Sequence, residues 1–369
     1  MNKESNDKPP FDIIFVASSR DYHAMDWYRT VRDIMPKKKI AVATDLIQSE
    51  GVQSILKPND IVIQAGNIDK YLFKHQSSYA NLWRNLIKLF FAIKFAFFLK
   101  SIAHKKCIFH AHSMYYIFVC WLAKIDFIAT PMGSDILIRP DQSMLYKYFS
   151  ILSLSKAKHI TGDSFKMSKK IKELTGRDIE VIQNGVDLRS LKPETKKTSR
   201  TKVISLRAIA PNYRISEILK ARNSSMKNTN INFIYPFHEN QYMTKLKGLV
   251  NSKDFFHGFL NKDEMSYLFC NAYASISIPV SDSSPRTVYE AIFSGSIVIV
   301  TYDDWVEMLT ECMKKRIIIV DLKKSNWLKN SLMKAKQLSK KTYKPSKDAF
   351  DKFDQITSMK NMCKKYYEF

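Results

Sequence analysis

Residues 274–301 read ASISIPVSDSSPRTVYEAIFSGSIVIVT, and no other stretch constrains the fold of this chain as tightly. Ile276 and Ile278 end an apolar run of the kind that forms a strand buried on both faces. A polar loop follows, Ser281-Asp282-Ser283-Ser284-Pro285, and residues 286–293 then carry a helical pattern closed by Gly295. A second apolar run, 297–300, completes a strand–loop–helix–strand unit. In an open parallel sheet such a loop lies at the carboxyl edge of the strands, where ligands bind. Its last residues open a helix, whose free amide groups and dipole favour a phosphate. Glu290 sits one turn into that helix and Asp282 lies eight residues before it. Either both carboxylates face one ligand, or Asp282 is a turn residue and Glu290 a solvated one.

A chain of 369 residues suits two domains of ordinary size, and 45% apolar residues supply a substantial core. The five cysteines are scattered, with no CxxC and no zinc spacing, which points to a reducing cytosol and no structural metal. The first ten residues, MNKESNDKPP, lack an apolar core and are not expected to act as a secretory signal. The formal charge of +24 should attract polyanions, either nucleic acid or an anionic membrane leaflet. No RNP-like aromatic set, zinc finger or basic-zipper pattern is present, so nucleic acid is not the expected partner.

From the start of the chain, residues 11–17, 40–44 and 61–65 read as strands and 24–34 as a helix. Short apolar runs alternating with helical patterns argue for βα units and parallel sheets. Residues 86–99, LIKLFFAIKFAFFL, are the most apolar stretch, broken only by Lys88 and Lys94. A helix of that length spans roughly 21 Å, short of a hydrocarbon core of about 30 Å, so no crossing is expected. Lys88, Lys94 and Lys100 point about 120° apart around it, leaving no clean polar face. Either the helix is buried with its lysine heads reaching out, or its phenylalanines dip into a membrane surface.

Residues 107–110 read as a strand leading to His112, which shares one face with His110. No third ligand is near, so a polar strand end at the ligand edge is expected rather than a metal site. After a strand at 127–131, Gly133-Ser134-Asp135 either caps the next helix or offers Asp135 to a ligand. Asn184-Gly185 is a turn signal. Residues 191–201, charged and containing Pro193, read as a linker between a first domain, 1–190, and a second, 202–345, whose first strand ends at Arg207. Asp303-Asp304 is read as acids at a helix start rather than a metal pair. Residues 346–369 read as a final helix, and the Lys-rich run before it as a solvated face.

An acidic residue, seven others, then Glu-Ala resembles the E-x7-E motif of retaining, nucleotide-sugar-dependent glycosyltransferases of the large family 4. Gly133-Ser134-Asp135, Gln183-Asn184-Gly185-Val186-Asp187 and Phe256-His257-Gly258-Phe259 are similar to further segments of that family, in the same order, between about residues 108 and 301. The resemblance implies the GT-B fold: two Rossmann-like domains facing across a cleft, with the C-terminal helix crossing back to the first. It implies that Glu290 binds the donor ribose, that Asp282 contacts the sugar, and that Ser283, Ser284, Arg286 and Thr287 meet the phosphates. Asn184 and Gly185 would touch the donor. His112, Gly133, Ser134 and Asp135 would lie on the acceptor side, with Asp135 and Asp282 the candidate catalytic residues. The family clamps the diphosphate with an Arg and a Lys. Arg207 fits the first, but Asn212 and Tyr213 occupy the lysine's place, and Arg214 is the nearest cation. Met132 replaces a family histidine, and the usual glycine-rich turn after the first strand is Ser18-Ser19-Arg20-Asp21 here.

The resulting expectation is a cytoplasmic glycosyltransferase, peripheral on the inner face of a membrane, that moves a sugar from a nucleotide-diphosphate donor to a glycan or lipid-linked acceptor. The leaving phosphate would help deprotonate the acceptor, so neither a side-chain base, a metal nor a cofactor beyond the co-substrate is required. A sugar-nucleotide epimerase or a phosphorylase would share the fold, and a non-catalytic basic scaffold for lipid or nucleic acid is the third reading.

Overall fold

A computed structural model describes residues 11–47, 56–71, 78–189, 191 and 200–368. Most of the expected 191–201 linker lies outside the described residues. The chain divides into two compact units: one runs to Gln183 and takes back Met359 onward, and the other is Asn184–Ser358.

The first unit is a parallel sheet of β1 (Ile13–Val16), β2 (Ile40–Thr44), β3 (Ile61–Gln64), β4 (Ile108–His112), β5 (Phe127–Thr130), β6 (His159–Gly162) and β7 (Glu180–Val181). Their spatial order is β3-β2-β1-β4-β5-β6-β7. Every residue of β1, β2 and β5 is buried, which is why these strands read as unbroken apolar runs rather than alternating ones. On one face Phe95, Leu99, Ile117, Leu154 and Ile171 pack from helices Ser78–Ile102, Met114–Ala123, Met144–Lys156 and Phe165–Thr175. On the other lie Trp27, Tyr28 and Val31 from helix Tyr22–Ile34, with Met359, Met362 and Tyr366 from helix Gln355–Tyr367.

The second unit is a parallel sheet of β8 (Lys202–Ser205), β9 (Asn232–Ile234), β10 (Phe255–Gly258), β11 (Ala272–Ser277), β12 (Ile297–Val300) and β13 (Ile317–Ile319). Their order is β10-β9-β8-β11-β12-β13. Ile218, Phe233, Ile276, Ile299 and Leu332 are among its core residues. Arg222 and Asp254 form a fully buried bidentate ion pair, and Asp254 also accepts the amides of Ile231 and Asn251. With its lone pairs satisfied this way, the carboxylate offsets the cost of burying both charges.

Three sequence expectations change. The long apolar helix covers 25 residues, Ser78–Ile102, not fourteen. At about 1.5 Å per residue its length no longer excludes a crossing. Its composition does: among the described residues no helix is both long and apolar enough to cross a membrane. β4 begins at Ile108 and reaches His112, so both histidines belong to the strand. The final helix is two helices, Lys347–Phe353 and Gln355–Tyr367. Phe353 and Gln355 turn their backbone outward to pair with Val186, and the Asp354 carboxylate caps the new helix by accepting from the Thr357 amide and hydroxyl.

Each sheet grows outward in one direction, returns to its middle, and grows in the other. The reversal falls between β1 and β4 in the first unit and between β8 and β11 in the second. At such a point the loops leaving two adjacent strands diverge to opposite faces and open a crevice at the carboxyl edge, the preferred ligand position in sheets of this kind.

Candidate functional site

At the second reversal, Arg207 leaves β8 and meets the loop that leaves β11. Its Nη2 donates to Asp282 Oδ2 at 2.6 Å and its Nε to Ser277 Oγ at 2.8 Å, while the guanidinium lies over the Tyr213 ring at 5.8 Å. Arg207 Nη1 and Asp282 Oδ1 make no hydrogen bond among the described residues. The loop is pinned from several sides. Asp303 Oδ2 accepts the Asp282 amide at 2.9 Å, Asn212 accepts the Val280 amide at 2.7 Å, and Arg214 donates to Pro279 O at 3.3 Å. Arg214 itself has left-handed backbone, φ 51°.

Helix Arg286–Phe293 starts directly after this loop. Arg286 and Glu290, one turn apart, form an ion pair at 3.3 Å. The Arg286 amide already donates to Ser284 O at 2.9 Å, so it is not among the donors left for a phosphate. The Thr287 hydroxyl oxygen is buried and has no partner among the described residues, a costly state for a polar atom unless something arrives to satisfy it. Ser283 and Ser284 are half-buried in the same loop.

Asn184 and Gly185 pack against the turn between the last two helices. Asn184 Oδ1 accepts from Gln355 Nε2 at 3.3 Å. Gly185 has φ 68°, and a Cβ there would lie 2.8 Å from Phe353 O and from the Gln355 backbone, so only glycine fits. Asp187 is held by Lys262 at 3.1 Å and Arg189 at 3.3 Å. Burial alone would raise its pKa, and the two cations more than reverse that, leaving it lowered.

The first reversal is of a different kind. His112 ends β4, stacked on Phe15 at 5.5 Å, edge-on to Trp27 and 4.3 Å from His110. Burial holds the His112 pKa down at about 3 and pushes that of His110 well below the ordinary histidine value. His110 bonds the Tyr366 hydroxyl and Thr130 Oγ1, each at 2.7 Å, whereas His112 Nε2 is buried without a partner among the described residues. The next residue, Ser113, has φ 69° and ψ 154°, a region that non-glycine residues seldom enter.

Asp135 is 3% exposed, and both its oxygens are engaged within the protein. Oδ2 accepts the amides of Met114 and Met132 at 2.9 and 3.3 Å; Oδ1 accepts from Arg139 and the Tyr146 hydroxyl at 2.9 and 3.3 Å. It thus ties the loop after β5 to the helix after β4, the capping alternative of the two left open above. Gly133 is half-buried and Ser134 exposed on the same loop.

Ser277 and Asp45 carry no signal in the sequence, and Tyr213 and Asp303 have roles at these edges that their sequence readings did not include. Ser277 and Tyr213 hold Arg207, and Asp303 holds the Asp282 amide as well as capping its own turn. Asp45, at the end of β2, accepts from the hydroxyls of Tyr115 and Tyr116 at 2.6 and 2.9 Å, and burial raises its pKa despite those bonds. Among the described residues no cluster of His, Cys, Asp and Glu could hold a metal ion.

No known family profile matches this sequence, and no match emerges among curated proteins. Solved structures do match. HepE of Anabaena, in complex with UDP and glucose, aligns over 97% of this chain and all of its own with a TM-score of 0.72 at 13% identity. A glycosyltransferase of Rickettsia africae aligns over 97% and 98% with a TM-score of 0.68, also at 13% identity. A putative UDP-N-acetylglucosamine 2-epimerase of Listeria monocytogenes aligns over 96% of each chain with a TM-score of 0.59 at 12% identity. At such identities the likeness is one of fold. It defines the class: two Rossmann-like domains in the GT-B architecture, shared with nucleotide-sugar enzymes.

Proposed function

We propose that the protein is a retaining glycosyltransferase that takes its sugar, a hexosyl group, from a nucleotide-diphosphate donor bound at the carboxyl edge of the second unit. The observation that carries this reading is the Arg207–Asp282 pair at the strand reversal, beside the helix that holds Glu290. Cleavage of a sugar–diphosphate bond passes through an oxocarbenium-like state while negative charge grows on the leaving phosphate. Arg207, fixed by Asp282, Ser277 and Tyr213, keeps Nη1 open to receive that charge. The Thr287 hydroxyl, at the positive end of the Arg286–Phe293 helix, adds a donor without reorganisation. Asp282, whose Oδ1 is open, meets the sugar, and Glu290 the ribose. Arg214 contributes positive potential and, through Pro279, shape. Asp135 positions the acceptor loop rather than touching the reacting atoms, and His112 faces the acceptor. The leaving phosphate accepts the acceptor's proton, so no cofactor or metal takes part.

HepE binding UDP and UDP-glucose makes uridine donors the first to test. The acceptor is a glycan or lipid-linked sugar of surface polysaccharide or glycolipid assembly, met at the inner face of the membrane. The supporting observations are the net charge of +24 and the apolar helix. Incubation with UDP-, GDP-, dTDP- and CMP-sugars, with thermal shift and product analysis, tests the reading. Stabilisation by one nucleotide family, with turnover that needs an acceptor, is expected. Turnover of donor alone to an isomeric nucleotide sugar would select the epimerase, which the fold shared with the Listeria protein also accommodates. Absence of stabilisation by any nucleotide would leave a binding scaffold.

A further inference from the structure

We propose that the outward face of helix Ser78–Ile102 docks on an anionic phospholipid bilayer. The helix has two apolar faces. Phe91, Ala92, Phe95 and Leu99 are buried against the first unit's core. On the opposite side Leu82, Leu86, Phe90, Ile93 and Phe97 are exposed, Phe90 at 65% and Phe97 at 71%. A helix at a protein–water boundary normally turns charged residues outward, so core packing explains only half of this one. The exposed row continues into a groove of about 660 Å³ that Tyr71 shares with Leu86 and Phe90, and that Lys70 and Lys94 also line. A contiguous apolar surface of this kind marks a binding face.

Charge identifies the occupant. Between Asp69 and Asp126 the chain carries nine lysines and arginines and not one carboxylate. Lys94 and Lys100, both exposed, belong to the helix itself. Apolar side chains flanked by lysines match a leaflet of anionic lipid, where rings enter the acyl boundary and ammonium groups meet phosphates. A second copy of this chain is the poorer partner, because a two-fold contact would set this positive face against itself. The helix lies on the bilayer and does not enter it, since its inner face is committed to the sheet. The inference deepens the membrane part of the proposed function, yet it is measured without any sugar, so each can fail alone.

The test is co-sedimentation of the full chain with vesicles of phosphatidylcholine containing about one-third phosphatidylglycerol, against phosphatidylcholine alone. Binding is expected to the anionic vesicles and to weaken in about 0.5 M salt, where the Debye length is roughly 4 Å. Leu86→Ser/Phe90→Ser/Phe97→Ser should lower the partition coefficient at least about tenfold with an unchanged melting temperature, because all three side chains already face water. Lys94→Glu/Lys100→Glu should lower binding to anionic vesicles alone. Failure of the wild-type chain to bind them, or undiminished binding by the triple variant, overturns the proposal. So does a triple-variant-sensitive dimer in light scattering without vesicle binding.

Discussion

The carboxyl edges of the two sheets solve opposite problems with similar residue types. At the first edge His110, His112, Asp45 and Asp135 are withdrawn from water and kept uncharged or hydrogen-bonded within the protein. His110 and His112 are kept uncharged by burial, Asp45 lies under two tyrosine hydroxyls, and Asp135 has all its bonds within the protein. At the second edge the charges are ion pairs that remain partly exposed. Arg207 with Asp282 and Arg286 with Glu290 keep between 12% and 20% of each side chain exposed. Saturated groups hold shape, whereas partly open charges in a sheltered crevice can be recruited by an anion with little rearrangement. Under the proposed function the first edge is a rigid wall and the second supplies the electrostatic stabilisation.

The largest expected effect follows from that division. Arg207→Ala or Glu290→Ala should lower sugar transfer by about 10² to 10³, the scale of losing a preorganised charge-stabilising group, with the fold intact by circular dichroism. Asp282→Asn should act likewise while changing unfolding free energy by less than about 1 kcal/mol. Full activity in these variants would remove the second edge from the chemistry. Asp135→Asn should show the reverse priority. An amide cannot accept from two backbone amides, a guanidinium and a hydroxyl at once, so stability should fall by about 2 kcal/mol in denaturant titration. If Asp135→Asn instead keeps its stability and loses only transfer, the wall is catalytic and the comparison fails.

How much of this could be read in advance depends on whether the information is local. The 274–301 stretch carries strand, loop, helix and strand within consecutive residues, and the structure builds them as β11, helix Arg286–Phe293 and β12. β1, β2 and β5 were legible for a related reason: buried parallel strands are short unbroken apolar runs. The full Ser78–Ile102 helix was not, because a helix apolar on two faces lacks the contrast from which a period is read. Asp135 could be read as a cap for its own helix, but its bond to Met114 joins residues 21 apart that only the β4–β5 pairing brings together. Asp303 looked like an acid at a helix start, and it is one; that it also holds Asp282 depends on the neighbouring strands β11 and β12. The break at Asp354 has a local trace in Asp354 followed three residues later by Thr357, yet its cause is the distant Val186.

The buried histidines give the first edge a pH signature of its own. In the unfolded chain a histidine titrates near 6.5, whereas His112 titrates at about 3 when folded and His110 is also pushed down by burial. Below pH 6.5 the unfolded state binds protons that the folded state refuses. The stability conferred by keeping these rings neutral is therefore complete above that value and is lost as pH falls toward the folded pKa. Each histidine contributes a slope of about 1.4 kcal/mol per pH unit in that window. Denaturant titrations between about pH 7 and pH 5.5 should show the first unit losing stability, with His112→Asn removing about half of the histidine slope. A flat profile would show that protons reach these rings in the folded protein.

The smallest effect is expected at the corner that follows His112. Ser113 holds φ 69° and ψ 154° while its amide donates to Thr130 O at 3.0 Å, so the neighbouring strand keeps the residue in a conformation that L side chains avoid. Its side chain makes no capping bond to the helix it precedes. Strain at such a position is roughly 1 to 3 kcal/mol, and glycine removes it while adding about 0.5 to 1 kcal/mol of unfolded-state entropy. Ser113→Gly should therefore raise stability by about 1 kcal/mol, within a span of roughly 0 to 2.5, a shift of a few degrees in melting temperature. The same change loosens the support of the His112 ring, so transfer should fall several-fold with donor KM unchanged. Stabilisation with full activity would mean the strain is incidental, and destabilisation would mean that serine carries no net strain at this corner.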